Sequence, residues 1–588
     1  MRTVLSWLKN YKKEAFFAPF FKLTEACFEL FVPLVMADII DRGIAGGDNR
    51  LIFGKGAVLV LLAAAGLIVA ITAQYFAAKA AVGVSGTLRR RLFSRIMGME
   101  ASEVDKNGTS TLITRMTSDI NQVQTGINMS LRLLLRSPII VFGAMIMAFT
   151  IDVPSALVFC VTVPILAFVV IGITRYSIPM FSKVQKILDK VMLSSRENLT
   201  GVRVIRAFNL QDDEMRAFTE RNDSLKKEQI HASNFTALTN PVTFIIVNAA
   251  TMFLIYKGAL RINIGSISQG QAVAILNYMS QILVELLKLT NLIVTITKSL
   301  ASAQRVSSVL GEKEMTAGAS EKDSADAAGK TIAPSASGDP FISFDHVSLR
   351  YTQGSEEALS DITFSVRKGM SVGIIGGTGS GKSSLVNMIP GMYEAATGRV
   401  TVMGEDISHA DKVKLRERIG VVPQKAVLFK GTIRSNMLIG NDSATDEEMI
   451  DCLRKAQAWD FVSEKGGLDA EVLQSGRNFS GGQRQRLTIA RALVRKPEIL
   501  ILDDSTSALD FLTEKNIREE IGKIADTTVF IVSQRASSVM KADMIIVLDD
   551  GRIAGIGTHE ELLKNCSVYE EIYYSQFEQK GGSSTCIM

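Results

Sequence analysis

The chain has 588 residues, 47% of them hydrophobic and 21% charged, with a formal net charge of +5 and a mean hydropathy of +0.21. This length exceeds what one core can hold, so two or more domains are expected. Mild basicity fits basic cytoplasmic loops better than a nucleic-acid surface, which would need clustered Lys and Arg with no membrane spans, and five scattered cysteines (Cys27, Cys160, Cys452, Cys566, Cys586) without CxxC spacing argue for reduced thiols over a disulfide frame or metal site.

In chain order, "MRTVLSWLKNYKKEAFF" reads as a basic amphipathic helix lying on the cytoplasmic membrane face, not as a cleavable signal peptide. A bilayer core about 30 Å thick needs roughly 20 apolar helical residues. Gly56 to Ala78, Val153 to Thr174, Ala232 to Tyr256 and Ile262 to Val284 are free of charge over 23, 22, 25 and 23 residues. Ser137 to Ile151 is shorter and extends backward if Arg132 and Arg136 lie at the cytoplasmic edge. A sixth span, 16–37, is interrupted by Lys22, Glu25 and Glu29. Residues 1–310 thus read as a helical transmembrane domain of six spans.

Two connections are long, 79–136 and 175–231. The first carries nine Lys/Arg against four acids, which places it and the N-terminus in the cytoplasm. Both read as continuous helix extending below the bilayer, with turns expected near 104–110 and 208–214. Residues 311–340 are small, polar and proline-dotted, a linker composition. A mixed α/β domain is expected over 341–578, followed by a flexible tail, 579–588, in which Cys586 stands one position off a prenylation box.

That second domain carries "GGTGSGKSS" (Gly376, Gly377, Thr378, Gly379, Ser380, Gly381, Lys382, Ser383, Ser384) between an apolar strand and a helix. This is the phosphate-cradling loop: glycines let backbone N–H groups wrap phosphates, Lys382 reaches the β/γ oxygens, and Ser383 offers a hydroxyl to Mg²⁺. Further on, "ILILDD" ejects two acids from a buried strand. Asp503 is placed to orient the Mg²⁺ shell. Asp504 is expected to have a different job, because successive strand side chains point to opposite faces. Gln424 is a candidate for reaching the metal and the attacking water, and Tyr351 for stacking on adenine. "NFSGGQRQRL" places Ser480, Gly481, Gly482 and Gln483 at a helix start, a second anion site that implies a nucleotide shared between two domains.

With these motifs in this order, the chain resembles a type IV ABC exporter half-transporter of the multidrug-exporter kind. The resemblance covers nearly the whole chain except the linker and tail. It implies a P-loop NTPase domain of the ABC type, the cofactors ATP and Mg²⁺, and head-to-tail pairing with a second half-transporter. Each ATP would lie between one chain's Walker motifs and the other's signature, 479–483. It further implies a D-loop at 507–510, with Ser507 and Asp510, and short coupling helices at the two cytoplasmic turns.

Two positions depart from the family pattern. The residue after the Walker B aspartate is normally glutamate, the general base; here it is Asp504, one methylene shorter. The switch histidine is replaced by Gln534, which cannot become a cation or relay protons. Because misplacing a catalytic group by about 1 Å can cost on the order of 10²-fold, this chain's own site is expected to bind ATP and hydrolyse it poorly. The signature is intact apart from Phe479 for the usual leucine, and so can complete a partner's site. The resemblance is therefore to the degenerate-site subunit of a bacterial heterodimeric exporter in the cytoplasmic membrane. A homodimeric exporter with slow hydrolysis and a lipid or lipid-linked-glycan flippase stand as alternatives, and a non-transporting ATP-binding protein is disfavoured by six spans. Cargo is less legible. Glu25, Glu29 and Glu285 within the spans could line a cavity favouring small cationic amphiphiles; equally, Lys22 could neutralise Glu25 or Glu29, or the residues could sit at the cytoplasmic edge.

Overall fold

The structure is a computed structural model that describes residues 7–311, 340–351, 356–524 and 526–577. Most of the expected linker (312–339) and the tail, with Cys586, lie outside the described residues. The other four cysteines are free. The described chain forms two compact units, one of residues 7–98 and 109–311, the other of residues 99–108 and 340–577.

The first unit is all helical. It opens with α1 (Lys12–Asp38) and the long α2 (Asn49–Met97), which starts where the Asp48 side chain accepts the Leu51 N–H. Between them and the rest of the bundle the chain leaves the unit through a short helix, α3 (Ala101–Asn107), ended by Gly108 at φ +74°. The bundle resumes at Thr109 and includes α4 (Arg136–Ile151), α5 (Val153–Thr200), α6 (Gln211–Ala237), α7 (Thr239–Asn263) and α8 (Gln269–Leu310). Asp152 caps α5 through the Ser155 N–H, and α8 begins with a reciprocal Ser268–Gln271 capping box.

Five helical stretches among the described residues are long and apolar enough to cross a membrane: Asn49–Met97, Thr109–Ile151, Val153–Thr200, Gln211–Asn263 and Gln269–Leu310. The sixth expected span is the continuous α1, whose charges set it apart from those five. On α2, Phe53, Val60, Leu61 and Ile68 are largely exposed. A face of that kind is stable against lipid and would aggregate in water. The buried side brings Leu30, Phe159, Val247, Tyr278 and Ile282 together, and the Tyr278 hydroxyl donates to the Leu30 carbonyl at 2.6 Å. Helix breaks fall within both expected turns, at Gly108 and at 208–210. The short helices are Ala101–Asn107 and Val202–Ala207, and the acids Asp212, Asp213 and Glu214 open α6, where they favour the positive end of its dipole.

The second unit is α/β. Its main sheet runs, in spatial order, Arg552–Gly557, Met544–Asp549, Ser371–Gly376, Thr528–Val532, Ile499–Asp503, Ile419–Val422. Every neighbouring pair is parallel except the first. A second, antiparallel sheet pairs Ile342–Leu349 with Leu359–Val366 and Thr397–Val402. The helices that position the site are α9 (Lys382–Met388), α10 (Gly481–Val494) and α11 (Phe511–Gly522). Parallel strands end at one edge of the sheet. The loop after Gly376, the acids after Leu502, the turn after Val532 and Gln424 after Val422 therefore gather there, where open α/β sheets bind ligands.

Candidate nucleotide site and transmembrane charge cluster

The strand Ser371–Gly376 delivers the phosphate loop. Gly381 sits at φ +93°, and a Cβ there would lie 2.8 Å from the Ala358 carbonyl oxygen; at Gly376 it would lie 2.1 Å from that of Leu548. Only glycine fits either place. Gly377, Thr378 and Gly379 are exposed on the loop while Ser380 is buried. The Lys382 ammonium, at the start of α9, donates to the carbonyls of Gly376 (2.9 Å) and Gly377 (2.5 Å). Burial lowers its pKa, and the charges of Asp504 and Asp503 oppose that shift.

Asp503 ends its strand buried, accepting the Ser383 hydroxyl at 2.9 Å. Asp504 follows with a left-handed backbone, φ +44°, while its N–H still donates to Val532. Strand alternation therefore stops at Asp503, and both carboxylates act electrostatically on Lys382. Burial pushes both carboxyls above the usual aspartate range. Gln424, exposed, donates Nε2 to Asp504 Oδ2 at 3.4 Å, a long contact. The Gln534 side chain is not brought into this group. It stands exposed after Thr528–Val532, its backbone carbonyl accepting Gln576 Nε2 at 2.8 Å, and its side chain makes no hydrogen bond among the described residues. The Tyr351 ring is partly exposed, and its hydroxyl shares a 2.7 Å hydrogen bond with Ser384 Oγ.

At the signature, Ser480 and Gln483 form a reciprocal capping box: Ser480 Oγ accepts the Gln483 N–H at 3.3 Å and Gln483 Oε1 accepts the Ser480 N–H at 3.0 Å. Gly481 and Gly482 make the first turn of α10, and a Cβ on Gly482 would lie 3.1 Å from the Ala508 carbonyl oxygen. Phe479 is buried, with its ring 6.2 Å from that of Phe461 and the Lys465 ammonium over its face. Its size serves packing behind the signature. The Ser507 hydroxyl donates to the Asp504 carbonyl, and Asp510 caps α11 through the Thr513 N–H. A glycine cradle, an ammonium at its floor and a hydroxyl–carboxylate pair beside it fit a nucleotide triphosphate with Mg²⁺: Lys382 and the loop amides would hold phosphate, and Ser383 and Asp503 the ion.

In the first unit, the three candidate cavity acids converge on one cation. Arg136, buried at the start of α4, donates to Glu29 at 2.7 Å and to Glu285 at 2.7 Å, with Glu25 at 4.0 Å. Glu25 pairs with Lys22; Glu285 also accepts Ser137 Oγ and Lys288 Nζ, each at 2.8 Å. Arg136 is thus buried within the bundle. The group borders a cavity of about 450 Å³ whose other wall includes Val32, Pro33, Met36 and Ile140. Three acids (Glu25, Glu29, Glu285) against three bases (Lys22, Arg136, Lys288) give the group no net formal charge.

The family pattern described as the ABC transporter transmembrane region matches residues 15–286, and the one described as ABC transporter matches 359–507. An uncharacterized ABC transporter ATP-binding protein of Bacillus subtilis, YfiB, is 36% identical over 585 residues, covering 99% of this chain and all of that protein. The chain belongs to the ABC transporter family. It is a multi-pass membrane protein whose second unit is an ATP-binding domain. YgaD of Bacillus subtilis, whose name marks it as a candidate multidrug export ATP-binding/permease protein, is 31% identical over 592 residues, covering 98% of this chain and 99% of its own. The structure of a bacterial Atm1-family ABC exporter with ATP bound shares the fold, at a TM-score of 0.78 and 22% identity over 98% of this chain and 99% of that one.

This ABC transporter's site also uses residues that motif reading passed over. Glu514, buried on α11, accepts the Ser538 hydroxyl at 2.5 Å and faces Arg535 at 3.4 Å, fastening the turn that carries Gln534. Gln485 Oε1, buried on α10, accepts the Ala508 N–H at 3.2 Å and ties the signature helix to the D-loop. An acid at an interior helix position, four residues before Arg518, was the available signal for Glu514.

Proposed function

We propose that this chain is one half of a dimeric exporter whose own Walker site binds Mg·ATP but turns it over slowly, and whose signature completes the hydrolytic site of a different partner chain. One observation carries this reading. Asp504, the shorter acid, reaches Gln424 only at 3.4 Å, and Gln534 stands unengaged nearby, while the Ser480–Gln483 box is fully formed. A general base must approach the proton it removes to hydrogen-bond distance. The phosphate-binding parts therefore support tight binding and the catalytic parts support slow chemistry. In the membrane, ATP-driven closure of paired nucleotide domains would open the transmembrane cavity outward, with the N-terminus and nucleotide domain cytoplasmic. The neutral charge group beside an apolar wall favours an amphiphile of low net charge.

The test is ATP turnover and nucleotide occupancy of the chain purified alone. Bound ATP, lost in Lys382→Ala, with turnover restored only by adding a partner chain that has glutamate and histidine at these positions, is the expected result. Brisk turnover by the chain alone overturns the heterodimer. A second reading, a slow homodimer, is favoured by one observation: the Asp504 carboxylate and the Lys382 ammonium act on each other's charge.

A further inference from the structure

The turn that carries Gln534 is held from two directions. The strand Thr528–Val532 lies between the strand that delivers the phosphate loop and the one that ends in Asp503, so whatever follows Val532 emerges between loop and acid. Sheet pairing ends at Ser533, whose N–H donates to the Ile374 carbonyl at 3.0 Å. From one direction α11 fastens the turn: Glu514 engages Arg535 and Ser538, and Arg518 Nη1 donates to the Ser537 carbonyl at 2.6 Å. From the other comes the last described helix, α12 (Ser567–Phe577). Its Gln576 donates Nε2 to the Gln534 carbonyl and accepts the Ala536 N–H at Oε1, each at 2.8 Å.

The helix α12 has a seat of its own. Tyr569 is fully buried in a cluster with Ala536 and Val539, on the short helix that follows the turn, and shares a 2.8 Å hydrogen bond with His559 Nδ1. The Tyr573 ring stacks on that of Phe577, 4.7 Å between centroids. Gln576 itself is exposed. Water competes for both of its bonds, so they add little to stability, and the side chain gives up rotamer freedom to make them. What they fix is direction. The backbone at 534 is held by Gln576 on one side and by the sheet on the other. The Gln534 side-chain amide, which makes no hydrogen bond among the described residues, keeps its N–H groups to donate to an anionic oxygen. We propose that Gln576 is a positioning residue that aims Gln534 at the terminal phosphate of bound ATP, so that the C-terminal helix sets how strongly this site prefers a nucleoside triphosphate over a diphosphate. The inference rests on reading Gln534 as the switch residue.

The experiment measures, by calorimetry on the full chain in lipid nanodiscs, the Kd of Mg·AMP-PNP, which keeps a terminal phosphate and resists hydrolysis, and that of Mg·ADP. Gln576→Ala is expected to lower the preference for AMP-PNP over ADP about fivefold, the worth of about one hydrogen bond, with the ADP Kd within about twofold of the parent. Gln576→Glu keeps an acceptor for the Ala536 N–H but sets a carboxylate against the Gln534 carbonyl, and loses the same preference. In Gln534→Ala the preference is already low, and adding Gln576→Ala lowers it no further. Equal weakening of both nucleotides in Gln576→Ala, a parental preference in Gln576→Glu, or additive losses in the double variant overturns the inference. Gln534→Ala separates the two readings. A parental preference there refutes the switch reading itself, whereas a reduced one beside an unchanged Gln576→Ala refutes only the clamp.

Discussion

Replacing Arg136 by methionine removes the cation on which helices α1, α4 and α8 converge. The two closest acids differ in what they then face. Glu285, with a side chain only 4% exposed, keeps Lys288 and Ser137 but loses its buried partner; Glu29, 43% exposed, can turn to water or headgroups. Breaking a buried ion pair from one side costs about 3–5 kcal/mol, and the surviving bonds at Glu285 place this case near about 3 kcal/mol. For a folded unit of this size that corresponds to a fall in Tm of about 6–10 °C. The assay is thermal unfolding of the detergent-purified chain followed by intrinsic fluorescence, with the double variant Arg136→Met/Glu285→Gln beside it. Neutralising the orphaned acid is expected to recover at least half of the loss. A single variant within about 2 °C of the parent, or a double no better than the single, would refute the assignment of Arg136 as the hub of the cluster.

Three further outcomes are expected. Asp504→Glu lengthens the acid by one methylene and should raise ATP turnover of the isolated chain about tenfold, and about a hundredfold when combined with Gln534→His; steady-state phosphate release within about threefold of the parent for both sinks the impaired-base reading. Burial raises the folded-state pKa of Asp503, so its contribution to stability is complete below the ordinary aspartate value and is lost as pH rises through the raised one. At pH 7.5 in EDTA, Asp503→Asn should therefore raise Tm by about 1–3 °C, and Mg²⁺ should add little to its ATP affinity; the comparison is thermal unfolding with and without Mg²⁺. Gly381→Ala places a Cβ against the Ala358 carbonyl in a backbone conformation that disfavours it, costing about 1–3 kcal/mol and abolishing ATP binding measured by calorimetry.

Legibility followed the range of the interactions. The phosphate loop could be read because strand, glycines, lysine and helix are contiguous, and the apolar runs announced the bundle because the bilayer sets their length. Asp503 and Ser383 lie 120 residues apart, yet both stood in motifs that a shared ligand links. What stayed hidden depends on backbone detail or on distant pairing. The left-handed conformation at Asp504 broke the strand alternation that separated the two acids. The neutralisation of Glu29 and Glu285 required Arg136, 107 and 149 residues away, and nothing local marks that convergence. The short helices at the two turns are set off by Gly98 and Gly201, which end α2 and α5, and the apolar pattern does not register such helix ends. Gln576 belongs to no motif and acquires its place only through the backbone at 534 and 536.

The membership of residues 99–108 in the second unit has a consequence for biosynthesis. Asp105 leaves the ribosome 288 residues before Tyr393, whose hydroxyl it accepts. At ~5–20 residues per second, that is a delay of ~15–60 s. Throughout that interval α3 exists without the surface that holds it, tethered between helices already entering the membrane. Its docking is therefore a late, long-range closure that reports completion of the nucleotide domain. A nascent chain truncated before Tyr393 would lack both Tyr393 and Lys412, leaving Asp105 and Glu100 without these partners.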